Sequence, residues 1–389
     1  MQSKIIITIQ MKRTIAFLVL LTVIGTSSPL SAQDADEEQD LQELYRQIDD
    51  AIDHSPEYVA KRLGQIADAQ KALRSESSLE KRFALAEQLF ELYKPYRNDS
   101  ALYMADLCIS LADSLNRKDM VGLYLSRKAH QCSSTGLYVE ALDLLKRVDR
   151  RALRGEGLTK YYAAWMHLCG ELGSYAQQSE EQLSYYAIQD AYRDSVLAVA
   201  DESSELYLHL KMDVLSGRRQ YQDALGVSDR WLRKVSEGTH ENAFAAFYRS
   251  VIYEKLNNGQ QRRYWLGKSA LDDIKCAVFD QASLFMLAEC LCEDGDFERA
   301  DRYVHFCEAC NIAYSPQLRN YQVRYVANVM EAIYKHDEAL YSRLLKIVCI
   351  AAVLLVCLVV WLLIRQKRHR TQATSAELQE QVADLIDQR

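Results

Sequence analysis

Four cysteines in the stretch LAECLCEDGDFERADRYVHFCEAC, residues 287–310, are the residues best placed by type to do chemistry. Cys290, Cys292, Cys307 and Cys310 form a CxC-x14-CxxC arrangement, which on a knuckle-like turn could hold zinc through thiolates. The same letters fit two packed helices in which cysteine serves as a small apolar residue. On a helix Cys290 and Cys292 diverge by about 200° at 3.6 residues per turn, so they cannot converge on one ion. Cys307 and Cys310 are likewise expected within a helix, so no metal site is expected here. A disulfide from Cys307 or Cys310 to the preceding helix is the alternative. Eight of the ten cysteines precede residue 347, and spacing alone does not give their connectivity.

Other chemistry fails on particular residues. WLGKSA at 265–270 contains the GKS of a phosphate-binding loop, but the earlier glycine that loop needs falls at Arg262. No HExxH or GxSxG occurs, and the eight histidines are scattered singly. Adjacent Asp272 and Asp273 point in different directions on a helix, which suits a solvated face better than acid–base work. No catalytic, cofactor-binding or metal-binding residue is therefore assigned, no cofactor is expected, and the chain is read as a non-enzyme. The 24 tyrosines fit helix packing, with ring between helices and hydroxyl at the rim, better than a nameable groove.

The elements around these residues are helical. Only 4 Pro and 14 Gly interrupt 389 residues, too few breakers for sheets, and long runs favour Ala, Leu, Glu, Gln, Lys and Arg. Ser55-Pro56 and Ser315-Pro316 offer helix starts, whereas Asn98-Asp99-Ser100 and Glu293–Asp296 read as turns. A grammar repeats. Gly136, Tyr138, Ala141 and Leu145 run G-x-Y-x-x-A-x-x-x-L, and Gly295, Phe297, Ala300 and Val304 repeat it. Tyr221, Ala224 and Ser228 keep part of it. Leu284, Leu287, Ala288 and Leu291 stripe the helix before the clearest copy, and Cys307 takes a small-residue position in it. This spacing is similar to the tetratricopeptide repeat, a helix–turn–helix unit. Copies 83 and 76 residues apart are not multiples of 34, so divergent helix pairs must intervene. The expected fold is all-α: a TPR-like α-solenoid, one transmembrane helix and a short coiled coil.

The ends supply the targeting signals. MKRTIAFLVLLTVIGTSSPLSAQD, residues 11–34, has cationic Lys12 and Arg13, an apolar run from Ile15 to Ile24 and a small polar stretch to Ala32. That layout is a secretory signal peptide with cleavage between Ala32 and Gln33; an uncleaved anchor is the alternative. Met11 would be a more ordinary start than Met1, and no cysteine precedes Cys108 to carry a lipid. QDADEEQD at 33–40 reads as a frayed lead-in. IVCIAAVLLVCLVVWLLI, residues 347–364, holds 18 consecutive apolar residues, about 27 Å of helix against a hydrocarbon core of about 30 Å. Arg365, Lys367, Arg368 and Arg370 follow it, against Lys335, Arg343 and Lys346 before it. The export signal therefore decides the orientation, with the body outside and the tail in the cytoplasm. Leu378, Val382 and Leu385 recur at spacings of four and three, the seam of a coiled coil. The coil stops in mid-pattern, so a longer chain is expected. The expected division is signal peptide 1–32, exported repeat domain 33–342, transmembrane helix 343–364 and cytoplasmic basic flank with coil 365–389. A net charge of −7 and the lack of a broad basic face argue against nucleic acid.

The order of these parts resembles a Bacteroidetes family of membrane-spanning regulators with tetratricopeptide bodies. The resemblance rests on NDSALYMADLCISLA at 98–112, STGLYVEAL at 134–142, and the run from SALDDIK through CEAC at 269–310. Members usually carry a cytoplasmic helix-turn-helix output beyond the coil, which implies transcriptional regulation; these 389 residues contain no such segment, and no DNA binding is assigned to them. The expected role is a single-pass inner-membrane sensor or adaptor that dimerises through span and coil. Its exported body would meet a protein, a peptide or a glycan cue. The alternatives are the front half of a sensor histidine kinase, or a passive envelope scaffold. His369 lacks the helical context a kinase phosphoacceptor needs.

Overall fold

A computed structural model describes residues 32–176, 179–315 and 319–387. Among them lie fifteen α-helices, one 3-10 turn at Arg150–Ala152 and no strand. The helices are α1 Ala32–Asp53, α2 Ser55–Ser75, α3 Leu79–Tyr93, α4 Asn98–Ser114 and α5 Lys118–Ser134. They continue with α6 Tyr138–Lys146, α7 Gly155–Tyr175, α8 Glu180–Val199, α9 Glu205–Gly217 and α10 Tyr221–Leu232. α11 His240–Lys255, α12 Gly259–Lys275, α13 Ala282–Asp294, α14 Phe297–Tyr314 and α15 Arg319–Asp387 complete them. The fold is a TPR-like helical solenoid body with one apolar helix near the C-terminus. Two compact units divide it: residues up to 287 with 310–315, and residues 288–309 with the chain from 319.

Local residue choice explains where the helices start and stop. Ser78, Ser179, Ser204 and Thr239 each accept a hydrogen bond from the backbone N–H three residues on, as helix caps do. Gly136 and Gly295 take φ of 85° and 89°, and the following N–H reaches back to Cys132 and Leu291 respectively. That is a Schellman closure, in which a left-handed residue satisfies the orphan carbonyls of the finished helix. Arg219 and Asn257 hold the same left-handed position before α10 and α12 with φ of 61° and 54°. The pairs α7–α8 and α11–α12 are the divergent ones that separate the recognisable copies.

Three sequence expectations shift here. Residues 33–40 are not frayed but belong to α1, where clustered Asp and Glu suit the helix N-terminus. Asn98-Asp99-Ser100 is the first turn of α4, and residues 94–97 make the link. Ser55 is the first residue of α2 after His54, so Pro56 sits one position further in than expected. Pro316, the signal peptide up to residue 31, and the side chains of Ala32, Gln33, Leu378, Val382 and Leu385 lie outside the described residues. Gln33 begins in α1 beside Ala32, and the coil positions fall on the backbone of α15.

In the first unit the core is a relay of small clusters rather than one mass. Phe83, Leu89, Phe90, Ala101, Cys108 and Tyr124 join α3, α4 and α5. Ala129, Ala141, Leu145, Ala164 and Leu168 join α5, α6 and α7. Ala163, Val196 and Leu210 join α7, α8 and α9, and Trp231, Ala245 and Ile252 join α10 and α11. Alanines at the helix crossings are fully buried, which lets neighbouring backbones approach closely.

The path of this unit also returns to its start. α1 packs on α12, where Leu44 and Ile48 lie over Gly267; a Cβ added there would fall 2.7 Å from Leu44 Cδ2. Arg62 of α2 donates to the Cys276 carbonyl at 3.1 and 2.6 Å and to the Leu92 carbonyl at 2.9 Å. The Phe279 N–H donates to the Pro95 carbonyl at 2.7 Å, and the Tyr96 and Phe279 rings lie 4.6 Å apart. Gln131 donates to the Tyr314 hydroxyl at 2.7 Å.

In the second unit Ala288, Cys290, Leu291, Ala300, Val304 and Cys307 are buried. α15 runs unbroken for 69 residues, about 100 Å at 1.5 Å per residue. Its segment Asp337–Arg368 is long and apolar enough to cross a membrane. The Arg365 guanidinium lies over the Trp361 ring at 5.4 Å.

Candidate ligand-binding face

The repeat residues hold helices rather than reagents. Ala141, Ala224, Leu287, Ala288, Ala300 and Cys307 are fully buried, Tyr138, Tyr221 and Phe297 are half-buried, and Gly136 and Gly295 close their turns. Of the four cysteines, Cys290, Cys307 and Cys310 are buried and Cys292 half-buried. Burial pushes the Cys310 thiol up to about 12 and, with Glu289, the Cys292 thiol up to about 11, far from thiolate chemistry. Among the described residues no group of three or more His, Cys, Asp or Glu is placed to hold a metal ion. The GKS segment lies inside α12. There Gly267 makes room for α1, Ser269 meets Ser283 at 2.6 Å in the core, and Lys268 reaches Glu237 at 3.4 Å.

The polar side chains that do converge sit on the odd-numbered helices α3, α5, α7, α9 and α11. Arg127 of α5 donates to Glu91 of α3 and to the Tyr124 hydroxyl, which itself donates to Glu87 at 2.7 Å. Burial works against the Arg127 charge, and Glu91 with Tyr124 more than offsets it, so its pKa is raised. One turn further, the ring of His130 of α5 meets that of His167 of α7 at a tilt of 34°, with centroids 4.1 Å apart. His167 in turn lies 2.8 Å from the Ser133 hydroxyl and 3.7 Å from Glu171. His130 is exposed on the other side of its ring, and the nearby protein, then His167, Lys94 and Lys160, lower its pKa. His209 of α9 stacks flat on Tyr248 of α11 at 4.5 Å, and burial lowers its pKa to about 4.

Charged groups complete the face. Lys160 of α7 is half-buried, with a pKa lowered by burial and then by Arg127 and Lys94. Glu205, the first residue of α9, is exposed, and the nearby protein raises its pKa against the opposing influence of His240, Lys94 and Lys160. Asp272 and Asp273 are not on a solvated face. Both are 5% exposed, Asn242 donates to Asp272 at 2.6 Å, and His240 lies 2.7 Å from Asp273. Two side chains of α11 thus hydrogen-bond the carboxyl groups that α12 buries.

Histidines that are isolated in sequence therefore recur from helix pair to helix pair, and two of them, His130 and His167, meet in space. His130, His167, His209 and His240 lie 37, 42 and 31 residues apart, close to one per helix pair, and that spacing is the signal that could have found them. The arrangement supplies hydrogen-bond donors, acceptors and aromatic rings; the hydroxyl beside the His167 imidazole, that of Ser133, is fully buried and also lies 2.9 Å from the His130 carbonyl.

Comparison with known proteins agrees with this architecture. Residues 52–325 match the family described as the SusR N-terminal TPR domain. No curated protein matches the chain. The match spans the helices from α2 to the start of α15, including every repeat on which the polar face is built, and the chain belongs to the SusR N-terminal TPR domain family.

Proposed function

We propose that this protein is a single-pass inner-membrane sensor or adaptor, without enzymatic activity. Its TPR body is exported and receives a protein, peptide or glycan cue on the face of the odd-numbered helices. The observation that carries the reading is the union in one chain of a SusR-type TPR domain and α15, one helix that runs through an apolar segment into a basic and then heptad-patterned tail. A continuous helix passes rotation or translation along its axis better than a jointed linker does, and a paired helix gives signalling the two-state element it needs. The basic cluster after the segment suits the anionic inner leaflet. In this reading a transcription-regulatory output receives the signal on the cytoplasmic side.

The test uses intact cells and the full chain. Protease added to spheroplasts should digest the TPR body and leave the tail beyond residue 368 protected. Val382→Cys, in a chain whose Cys349 and Cys357 are serine, should form a disulfide-linked dimer in membranes. A protected body with a digested tail defeats the topology, and a chain that stays monomeric at Cys-substituted 382 defeats the paired-helix mechanism.

A further inference from the structure

Four large apolar side chains between α1 and α12, Tyr103, Val139, Tyr175 and Leu183, are 66–78% exposed, and no other described one there exceeds 45%. Contacts string them along one rim of the first unit. Asn98, which opens α4, donates to the Thr135 hydroxyl at 3.3 Å in the turn before α6. The Tyr138 and Tyr175 rings, at the start of α6 and the end of α7, lie 6.2 Å apart. Gln182, in the first turn of α8, donates to the Gly173 carbonyl at 3.1 Å. Carboxylates stand among the apolar groups: Asp99 one turn from Tyr103, Glu140 next to Val139, and Glu180 one turn from Leu183. None of these three forms an ion pair among the described residues.

At the other end of α6 and α7 the charge reverses. Residues 146–154, KRVDRRALR, carry Lys146, Arg147, Arg150, Arg151 and Arg154, all exposed and without an ion pair among the described residues. Asp149, the one acid of the stretch, accepts from the Arg151 N–H at 3.1 Å. The link is held in place. Leu153 is 1% exposed against Gly122, Arg150 donates to the Tyr162 hydroxyl at 2.6 Å, and Arg154 donates to the Arg151 carbonyl at 2.9 Å.

Inside the molecule these two half-sets are twice combined into a joint between helices. The Arg127 guanidinium lies 5.3 Å from the Phe90 and Tyr124 rings and donates to Glu91. That of Arg249 lies 4.6 Å from the Trp265 ring and donates to Asp229. A ring answers the flat face of a guanidinium and a carboxylate answers its N–H edge. The rim offers rings and carboxylates without a guanidinium, and the link offers guanidinium groups without a carboxylate.

We propose that the 146–154 link of one copy docks on the rim of a second copy, its arginines over Tyr103 and Tyr175 and against Asp99, Glu140 and Glu180. The two surfaces lie at opposite ends of α6 and α7, so the contact is head-to-tail and repeats from copy to copy. It gathers neighbouring TPR bodies and is separate from pairing through α15.

The test uses the full chain in membranes of cells that make two tagged forms. One carries Val139→Cys, the other Ala152→Cys, and both have Cys349 and Cys357 as serine. Mild oxidation should give a disulfide-linked pair bearing both tags, and neither substitution alone should give it. Raising salt from about 0.05 to about 0.5 M should lower the yield, because exposed charges are screened. Arg147→Glu with Arg151→Glu in the Ala152→Cys chain should cut it about tenfold, and Glu140→Lys with Glu180→Lys in the Val139→Cys chain should restore it. Restoration is a result that a folding defect does not produce. No mixed pair, a pair indifferent to the charge reversals, or a loss that the second reversal leaves in place overturns the proposal. Pelleting of the full chain, held in phosphatidylcholine nanodiscs, with phosphatidylglycerol vesicles and no mixed pair overturns it in favour of a lipid surface. None of these results bears on the topology or on pairing at residue 382, which rest on other residues.

Discussion

Histidine 209 shows how one side chain reports on its surroundings. Burial, with Lys160 nearby, holds its folded pKa near 4, whereas the unfolded chain would titrate near 6.5. Between those values the unfolded state binds a proton that the folded imidazole refuses, so stability is full above about pH 6.5 and is lost as pH falls toward 4. The loss from His209 should approach about 3 kcal/mol at the acid end of that window. Thermal melts from pH 7.5 to 4.5 should show the decline, and His209→Phe, which keeps the ring on Tyr248, should flatten it. A variant with the parent's slope would remove His209 from the explanation. None of this was legible from the histidine itself. A histidine on an amphipathic helix looks the same in sequence whether it faces water or another ring 4 Å away. Asp272 and Asp273 were misread for the same reason, because their partners Asn242 and His240 stand 30 and 33 residues upstream.

At the scale of the element, glycine separates tight seams from open surface. Gly267 of α12 faces Leu44 and Ile48 of α1, with no room for a side chain, whereas a Cβ at Gly226 of α10 would meet nothing within 4 Å. Gly267→Leu should cost about 1–3 kcal/mol from overpacking, partly offset by about 1 kcal/mol of helix propensity. Gly226→Ala should gain about 0.5–1 kcal/mol. Urea titrations of both variants check the opposite signs, and a stabilised Gly267→Leu would mean that the seam is loose. The sequence exposed those repeats whose turns carry glycine, Gly136 and Gly295. It concealed those before α10 and α12, because Arg219 and Asn257 occupy the same left-handed position. Backbone geometry was conserved between copies while the residue that announces it was not. Helix type was plain throughout, since so few breakers interrupt the chain.

Over the molecule as a whole, the decisive fact is where the first unit ends. Repeat solenoids ordinarily contact only their neighbours, so their stability adds up along a line. Here α1, which precedes most of the matched family residues, lies on α12, and Arg62 and Pro95 bond residues 276 and 279. Native-state hydrogen exchange should therefore find the amides around Ile48, which is fully buried, as slow as those around Leu266 in α12. Fast exchange confined to α1 would show an end that frays by itself. This contact was invisible in the sequence because no local pattern records which distant helix an apolar stripe will meet. A stack with two free ends can unzip from either, and a disturbance in its middle dies out within a repeat or so. A circuit with no free end has no place to begin unzipping and no place to discharge a strain. A shift of α9 by a fraction of an ångström must be taken up around the whole loop, and the joint between Leu44 and Gly267, which has no slack, is where it would first be felt.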